Sequence, residues 1–168
     1  IGSDVDDALA LSLILRSDEL KLEGVTTVYG DVNLRARIAL KILKLAGVKD
    51  VPVMTGVRKP LLMERDVFWT GHEGEGILEL GDEALKPNPT HAVDFITSKI
   101  MEMKGELTLI TIGPLTNLAA AIIKEPRIVE NVKEVFMMGG VTRLFNGLNL
   151  PFREHNIYCA PEAARIVL

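Results

Sequence analysis

Three aspartates fall within four positions, Asp4, Asp6 and Asp7, and run directly into the apolar helical pattern Ala8-Leu9-Ala10-Leu11-Ser12-Leu13-Ile14-Leu15. Carboxylates crowded at the start of a core helix repel one another. Burial would drive them to neutralise unless a cation or a set of hydrogen-bond donors kept them ionised. A hard metal bound through oxygen is the simplest such cation. Helix capping by one aspartate, with its neighbours favouring the positive end of the dipole, accounts for a single acid more readily than for three. The cluster therefore points to a site that binds a metal or hydroxyl groups.

Other polar residues punctuate the chain at corresponding places. Gly30-Asp31 follows one apolar run, Gly113-Pro114-Leu115-Thr116-Asn117 a second and Met138-Gly139-Gly140 a third; Glu154 and Asn156 come after a loop containing Arg143, Asn146 and Asn149. In an open parallel sheet, ligands bind beyond the carboxyl ends of the strands. All these segments would share that rim, which suggests one composite site. The groups suit hydroxyls better than phosphate: no GxxxxGK[ST] loop is present, and Gly113-Pro114 lacks the lysine and flanking glycines of a phosphate cradle. A polyol, whose diol can bind a hard metal while amides and carboxylates fix the other hydroxyls, is the expected ligand.

The elements that must position these groups are those of an α/β domain. Leu22 to Val28, Val51 to Thr55, Leu107 to Ile112 and Val135 to Met138 read as strands. Leu34, Ile38, Ile42 and Leu45 recur at helical spacing, with Arg35, Arg37, Lys41 and Lys44 on other faces, and Gly47 ends that helix. Further helices are expected from about His91 to Lys104, from Leu115 to Ile123 before Pro126, and from Pro161. The fold expected is an open, mostly parallel, Rossmann-like sheet with helices on both faces, as one domain over 1–168. Val57 to Thr90 lacks a clear element but carries Phe68, Trp69 and the glycine-spaced run around His72. It reads either as a ligand-facing loop or as an excursion whose aromatics plug the core.

With 168 residues, Lys plus Arg of 19 against Asp plus Glu of 23, and a formal charge of −4, no basic footprint for nucleic acid is present. No apolar run reaches the length of a bilayer span and no signal-peptide layout appears, so no membrane partner and a cytoplasmic location are expected. The single cysteine, Cys159, cannot form an internal disulfide and reads as a buried small thiol. Because the acids lie almost at Ile1 with no strand before them, and the helix from Pro161 has no C-cap signal, the chain is expected to be cut at both ends.

Five segments together resemble the calcium-dependent nucleoside hydrolases, which cleave the N-glycosidic bond of ribonucleosides. Asp6-Asp7-Ala8-Leu9-Ala10 is similar to that family's DDAxA signature, Thr26-Thr27-Val28-Tyr29-Gly30-Asp31 to TTVxGN, and Gly113 to Ala119 to GPLTN(I/L)A. Phe136 to Gly140 and Glu154 to Ala164 resemble two more, in the family order. The resemblance implies Ca2+ as cofactor, with Asp7 and the backbone carbonyl of Ile112 as ligands; Asp4 is an additional candidate ligand on the connecting segment. It implies Asp6 as a ribose-hydroxyl acceptor, Asp31 as the residue orienting the attacking water, Glu154 and Asn156 on ribose hydroxyls, and Met138 packed against the sugar. Asn149 is a candidate for the 5'-hydroxyl and His72 for the base. A ribonucleoside substrate, a role in nucleoside salvage and a homo-oligomer, dimer or tetramer, are likewise implied.

Departures from the family pattern are also present. Thr70 stands before Gly71 where many members have a histidine, and Leu148 occupies the strict position of the 5'-hydroxyl asparagine. Two calcium-ligating aspartates of the family would lie before Ile1 and beyond Leu168, so the 168-residue chain alone is expected to hydrolyse nucleosides poorly. Two other classes share parts of this pattern. One is a non-catalytic fragment that binds ribose and metal; the other is a magnesium-dependent aspartyl phosphotransferase, which would need lysine and hydroxyl motifs at later strand ends.

Overall fold

The computed structural model describes residues 1–62, 64–68, 70–141 and 153–168. Helix α1 (Asp6–Leu15) leads into strand β1 (Val25–Thr27), helix α2 (Val32–Leu45) and strand β2 (Val53–Thr55). After a long segment with one 3-10 turn, Asp82–Ala84, come α3 (Ala92–Glu102), β3 (Thr108–Thr111), α4 (Thr116–Lys124), α5 (Ile128–Asn131) and β4 (Glu134–Met137). Helices α6 (His155–Cys159) and α7 (Pro161–Val167) follow. The α/β class and the parallel pairing agree with the expectation from sequence; the strands are shorter than their apolar runs.

The strands form two parallel pairs. Val25, Thr26 and Thr27 of β1 lie beside Val53, Met54 and Thr55 of β2, and Thr108 to Thr111 of β3 lie beside Glu134 to Met137 of β4. No ladder joins the pairs among the described residues. Nor are both faces of the second pair covered: Ile110 and Phe136, partners in register, are 48% and 60% exposed. In these respects the described residues differ from a continuous sheet clad on both sides.

Three apolar clusters hold the helices. Leu11 packs with Ala36, Ile38, Ala39, Ile42, Leu43 and Val53, joining α1 and β2 to α2. Helix α4 presents Leu118 and Ala121 to Val93, Ile96 and Ile100 of α3. Its other side gives Leu115 and Ala119 to Ala160, Ala163 and Ala164. The alanines allow α7 a close approach, and α4 becomes the shared wall of the second and third clusters.

An asparagine at the start of a helix fastens each strand pair at its carboxyl end. Asn117 of α4 donates from Nδ2 to the Thr27 carbonyl at 3.0 Å and accepts the Val57 N–H at 2.8 Å, linking the exits of β1 and β2. Although it stands in the first turn of α4, Asn117 bonds across the chain and not to its own turn. Asn156 Nδ2 donates to the carbonyls of Ile112 and Met138, at 3.3 and 3.0 Å, tying the exits of β3 and β4. A side chain at Gly56 would collide with the first staple, since a Cβ there would lie 2.2 Å from Asn117 Oδ1.

Asn117→Ala leaves the Thr27 carbonyl and Val57 N–H without these partners in a buried setting, and is expected to lower stability by about 1–3 kcal/mol. Gly56→Ala should act through the same contact, so the double variant should lose clearly less than the sum of the two single variants. Urea unfolding of the four proteins checks this, and strictly additive losses would exclude the staple.

Candidate functional site

The polar rim is organised around Arg35. This residue lies in the first turn of α2 and is only 7% exposed, although its helical position had placed it on an outer face. Its guanidinium donates from Nε to the Tyr29 carbonyl (2.9 Å), from Nη1 to the Ile1 carbonyl (2.6 Å) and from Nη2 to Ser3 Oγ (3.0 Å). Desolvation lowers its pKa, while the charges of Glu73, Asp7 and Asp31 oppose that effect. Three acids from distant parts of the chain thus surround one buried cation. Lys41 is the other α2 basic residue that the structure buries, paired with Glu79 (2.7 Å) and Asp82 (2.8 Å), which fastens the 3-10 turn to the helix.

The turn that opens α1 carries the acidic cluster: Asp4 precedes the helix, and Asp6 and Asp7 are its first two residues. Asp4 and Asp6 are exposed and Asp7 is half-buried. Asp6 Oδ1 accepts the Asp7 N–H, and Asp7 Oδ2 lies 2.9 Å from the Ile1 amino group. None of the three caps α1, whose N-cap residue Val5 makes no side-chain bond. Among the described residues no three His, Cys, Asp or Glu side chains come together as a metal cage. What this chain would offer a calcium ion is Asp7 and the Ile112 carbonyl, the latter already accepting from Asn156.

Asp31 and Glu154 hold their places by capping. Asp31 Oδ1 accepts the N–H groups of Asn33 and Leu34 at the start of α2. The exit turn before it is tightly wound: Tyr29 has φ 67° and Gly30 φ 73°, a left-handed conformation unusual for a tyrosine. Tyr29 N–H donates to the Val57 carbonyl and Gly30 N–H to that of Arg58, both at 2.8 Å. Burial and the nearby Cys159 push the Tyr29 phenol up to about 12, against the lowering influence of the Phe68 N–H that its oxygen accepts at 2.8 Å. A cavity of about 760 Å3 opens on this rim, lined in part by Gly30, Asp31, Val57 and Arg58.

On the second strand pair, Glu154 caps α6 by accepting from Asn156 and Ile157 (2.8 and 2.9 Å) and also accepts the Gly140 N–H at 3.1 Å. Burial raises its pKa, but these donors more than reverse the effect and hold the carboxyl below its ordinary value of 4.5. Met138 lies beside it, half exposed, with its sulfur 3.1 Å from Asn156 Nδ2. Asn149, Trp69, Arg143, Asn146 and Leu148 lie outside the described residues.

The long segment after β2 reaches back to the acidic turn. His72 Nε2 is 2.7 Å from the Ser3 carbonyl, and Glu73 accepts from Ser3 Oγ (3.2 Å), Thr70 Oγ1 (2.8 Å) and Gly71 N–H (3.0 Å). Phe68 does not plug the core; it is exposed and meets the His155 ring edge-on. Cys159 is buried, 3.4 Å from His155 Nε2, and burial raises its thiol pKa. Arg35, Ser3, Tyr29 and Glu73 were not singled out from sequence, because their partners lie 32 to 70 residues away for the Arg35–Ser3 and Ser3–Glu73 bonds.

The family model for the inosine-uridine preferring nucleoside hydrolase matches residues 1–168. The chain belongs to the nucleoside hydrolase family. It is 36% identical to uridine nucleosidase 1 of Arabidopsis thaliana over 97% of this chain and 50% of that protein. Against the inosine-uridine preferring nucleoside hydrolase of Leishmania major it is 37% identical, over 97% of this chain and 53% of that protein. Among solved structures, the plant nucleoside hydrolase PpNRh1 superposes with a TM-score of 0.84 at 38% identity, covering 99% of this chain and 54% of the other. A purine-preferring ribonucleoside hydrolase from Gardnerella vaginalis superposes at 0.85 with 33% identity, covering 99% and 55%. The chain therefore spans about half the length of the curated relatives it matches. No helix among the described residues is long and apolar enough to cross a membrane.

The depressed pKa of Glu154 has a defined sign in this nucleoside hydrolase domain. Its contribution to stability is fully present above the ordinary carboxylate value of 4.5 and is lost as pH falls through the lower folded value. Glu154→Gln should therefore be less stable than the parent at neutral pH, with the gap closing in the acid range. Urea midpoints measured across that range check it; a gap constant with pH would exclude the assignment.

Proposed function

We propose that this chain supplies the sugar-binding rim of an N-ribosyl hydrolase, which converts ribonucleosides to free base and ribose. The observation that carries the proposal is buried Arg35 bonded to the Tyr29 and Ile1 carbonyls and the Ser3 hydroxyl, which ties the segment leading to Asp6 and Asp7 to the exit turn that ends at Asp31, in a chain of the nucleoside hydrolase family. The relatives are named for uridine, for inosine and uridine, and for purine ribonucleosides. Ribose is the common part, which favours a site built on sugar recognition with the base left open.

In this reading Asp6 accepts a ribose hydroxyl, Glu154 and Asn156 hold others, and Met138 packs against the ring. Both capping bonds of Asp31 fall on Oδ1, and the carboxylate orients a water toward C1', the proton of that water passing to an aspartate of the site. The water oxygen forms the new bond to C1' as the bond to the base nitrogen breaks, with its electron pair leaving on the base. Positive charge develops on the ring in an oxocarbenium-like transition state, and carboxylates already ionised beside it stabilise that charge without reorganising. Asp7 and the Ile112 carbonyl would hold a calcium ion, which would supply a hard cation for the ribose hydroxyls. Among the described residues no three-residue cage forms for it. Asp4, Asn149 and His72 remain candidates of the same proposal, as do a cytoplasmic location and assembly into dimers or tetramers.

A second reading is ribose and metal binding without turnover, in which the capped carboxylates Asp31 and Glu154 serve as sugar contacts only. Calorimetry with calcium and D-ribose, together with chromatography of free base from uridine and inosine, separates the two. Ribose binding that requires calcium and is abolished by Asp7→Asn is expected, with little base released by the 168-residue chain. Absence of ribose binding in the presence of calcium would sink both readings; release of base that calcium chelation stops would refute the expected inactivity.

A further inference from the structure

Ser3 is the point where three distant segments meet. Its hydroxyl accepts from Arg35 Nη2 (3.0 Å) and donates to Glu73 Oε1 (3.2 Å), while its carbonyl lies 2.7 Å from His72 Nε2. Immediately beyond it are the aspartates of the acidic turn. Glu73 is only 6% exposed, in a segment otherwise rich in glycine and open to solvent. A carboxylate buried in such a place needs several donors, and it has them in Ser3, Thr70 and Gly71. Burial raises its pKa, yet its own N–H, Thr70, Ser3 and Gly71 together hold it below the ordinary value. Gly2 is shaped to this contact: with φ 112°, a Cβ there would lie 2.8 Å from Ile38 Cδ1 and 3.6 Å from Glu73 Cβ. The acidic turn is thus clasped between α2 on one side and the Glu73 segment on the other.

We propose that Glu73 is a positioning residue that, through Ser3, couples the loop around Gly71 to the turn bearing Asp6 and Asp7, so that the loop sets the geometry of the sugar-binding acids. Glu73 does not touch the sugar. Its carboxylate fixes where the turn stands relative to Arg35 and Asp31, and the same carboxylate folds Thr70 and Gly71 back toward the site. Thr70 thereby serves the clasp at the position where many family members carry a histidine. This inference deepens the sugar-binding reading given above and rests on it only for the effect on ribose.

Hydrogen exchange and ribose calorimetry on the 168-residue chain test the two parts separately. Glu73→Ala should speed amide exchange at residues 6 to 9, more than sixty positions away in sequence, while the amides of α3 and α4 keep their protection. In the presence of calcium, ribose affinity should fall about tenfold, as when a group that orients a ligand-binding residue is removed. Glu73→Gln, which keeps one acceptor for the Ser3 hydroxyl, should recover part of both effects, and Ser3→Ala combined with Glu73→Ala should add little. Unchanged exchange at residues 6 to 9 overturns the proposal, as does unchanged ribose affinity in the Glu73 variant when the parent binds. If the parent does not bind ribose but the exchange coupling is present, the clasp stands and the sugar-binding reading fails.

Discussion

A guanidinium is costly to bury unless its donors are met and its charge is balanced. Arg35 satisfies both conditions with groups from separate parts of the chain: two backbone carbonyls and one hydroxyl take its protons, and Asp7, Asp31 and Glu73 surround its charge. The planar fork explains why the arrangement is specific. Donors in fixed directions place Ile1, Ser3 and Tyr29 relative to the first turn of α2, whereas a lysine would supply a point charge with no such geometry. Because Asp31 precedes that turn and caps it, the helix start, the exit of β1 and the acidic turn are positioned by one side chain.

The crowding of acids read from the sequence called for a cation, a hard metal being the simplest, or for hydrogen-bond donors. Among its own groups the chain provides a buried guanidinium and many N–H donors. Asp31 and Glu154 both accept amides at helix starts, where the dipole also favours negative charge, and for Glu154 these donors hold the carboxyl below its ordinary pKa. Capping and ligand binding are therefore compatible uses of one carboxylate. A cap holds the group in orientation and charge state before any ligand arrives, which is the condition for stabilising a developing cation without reorganisation.

The helical periodicity of Leu34, Ile38, Ile42 and Leu45, and of Val93, Ile96 and Ile100, identified α2 and α3 because each element carries its own apolar stripe. Strand lengths were overestimated because apolar runs continue past the ladder into segments that pack without pairing, as Leu22 does. Arg35 and Lys41 could not be placed by pattern. A basic residue on a helix is ordinarily solvated, and only partners brought together by the fold, Ser3 and Tyr29 for one and Asp82 for the other, reveal burial. The motifs, by contrast, drew attention to Asp31, Asn117, Glu154 and Asn156, which stand at helix starts, but left their local tasks open. The chemistry of a short polar side chain at a strand exit suits a cap, a staple or a ligand equally well.

The two asparagine staples clarify why amides stand at those exits. Parallel strands end with backbone groups splayed toward solvent, and here the ladders are only three and four residues long. An amide side chain can bridge two main-chain groups at once: Asn117 uses both its oxygen and its nitrogen, and Asn156 shares its nitrogen between two carbonyls. Each staple originates at a helix that packs elsewhere, α4 against α3 and α7, and α6 beside α7. The geometry of the rim is thereby tied to helix packing as well as to the short ladders. A site built on this rim can place polar groups at the ends of strands too short to hold them by pairing alone.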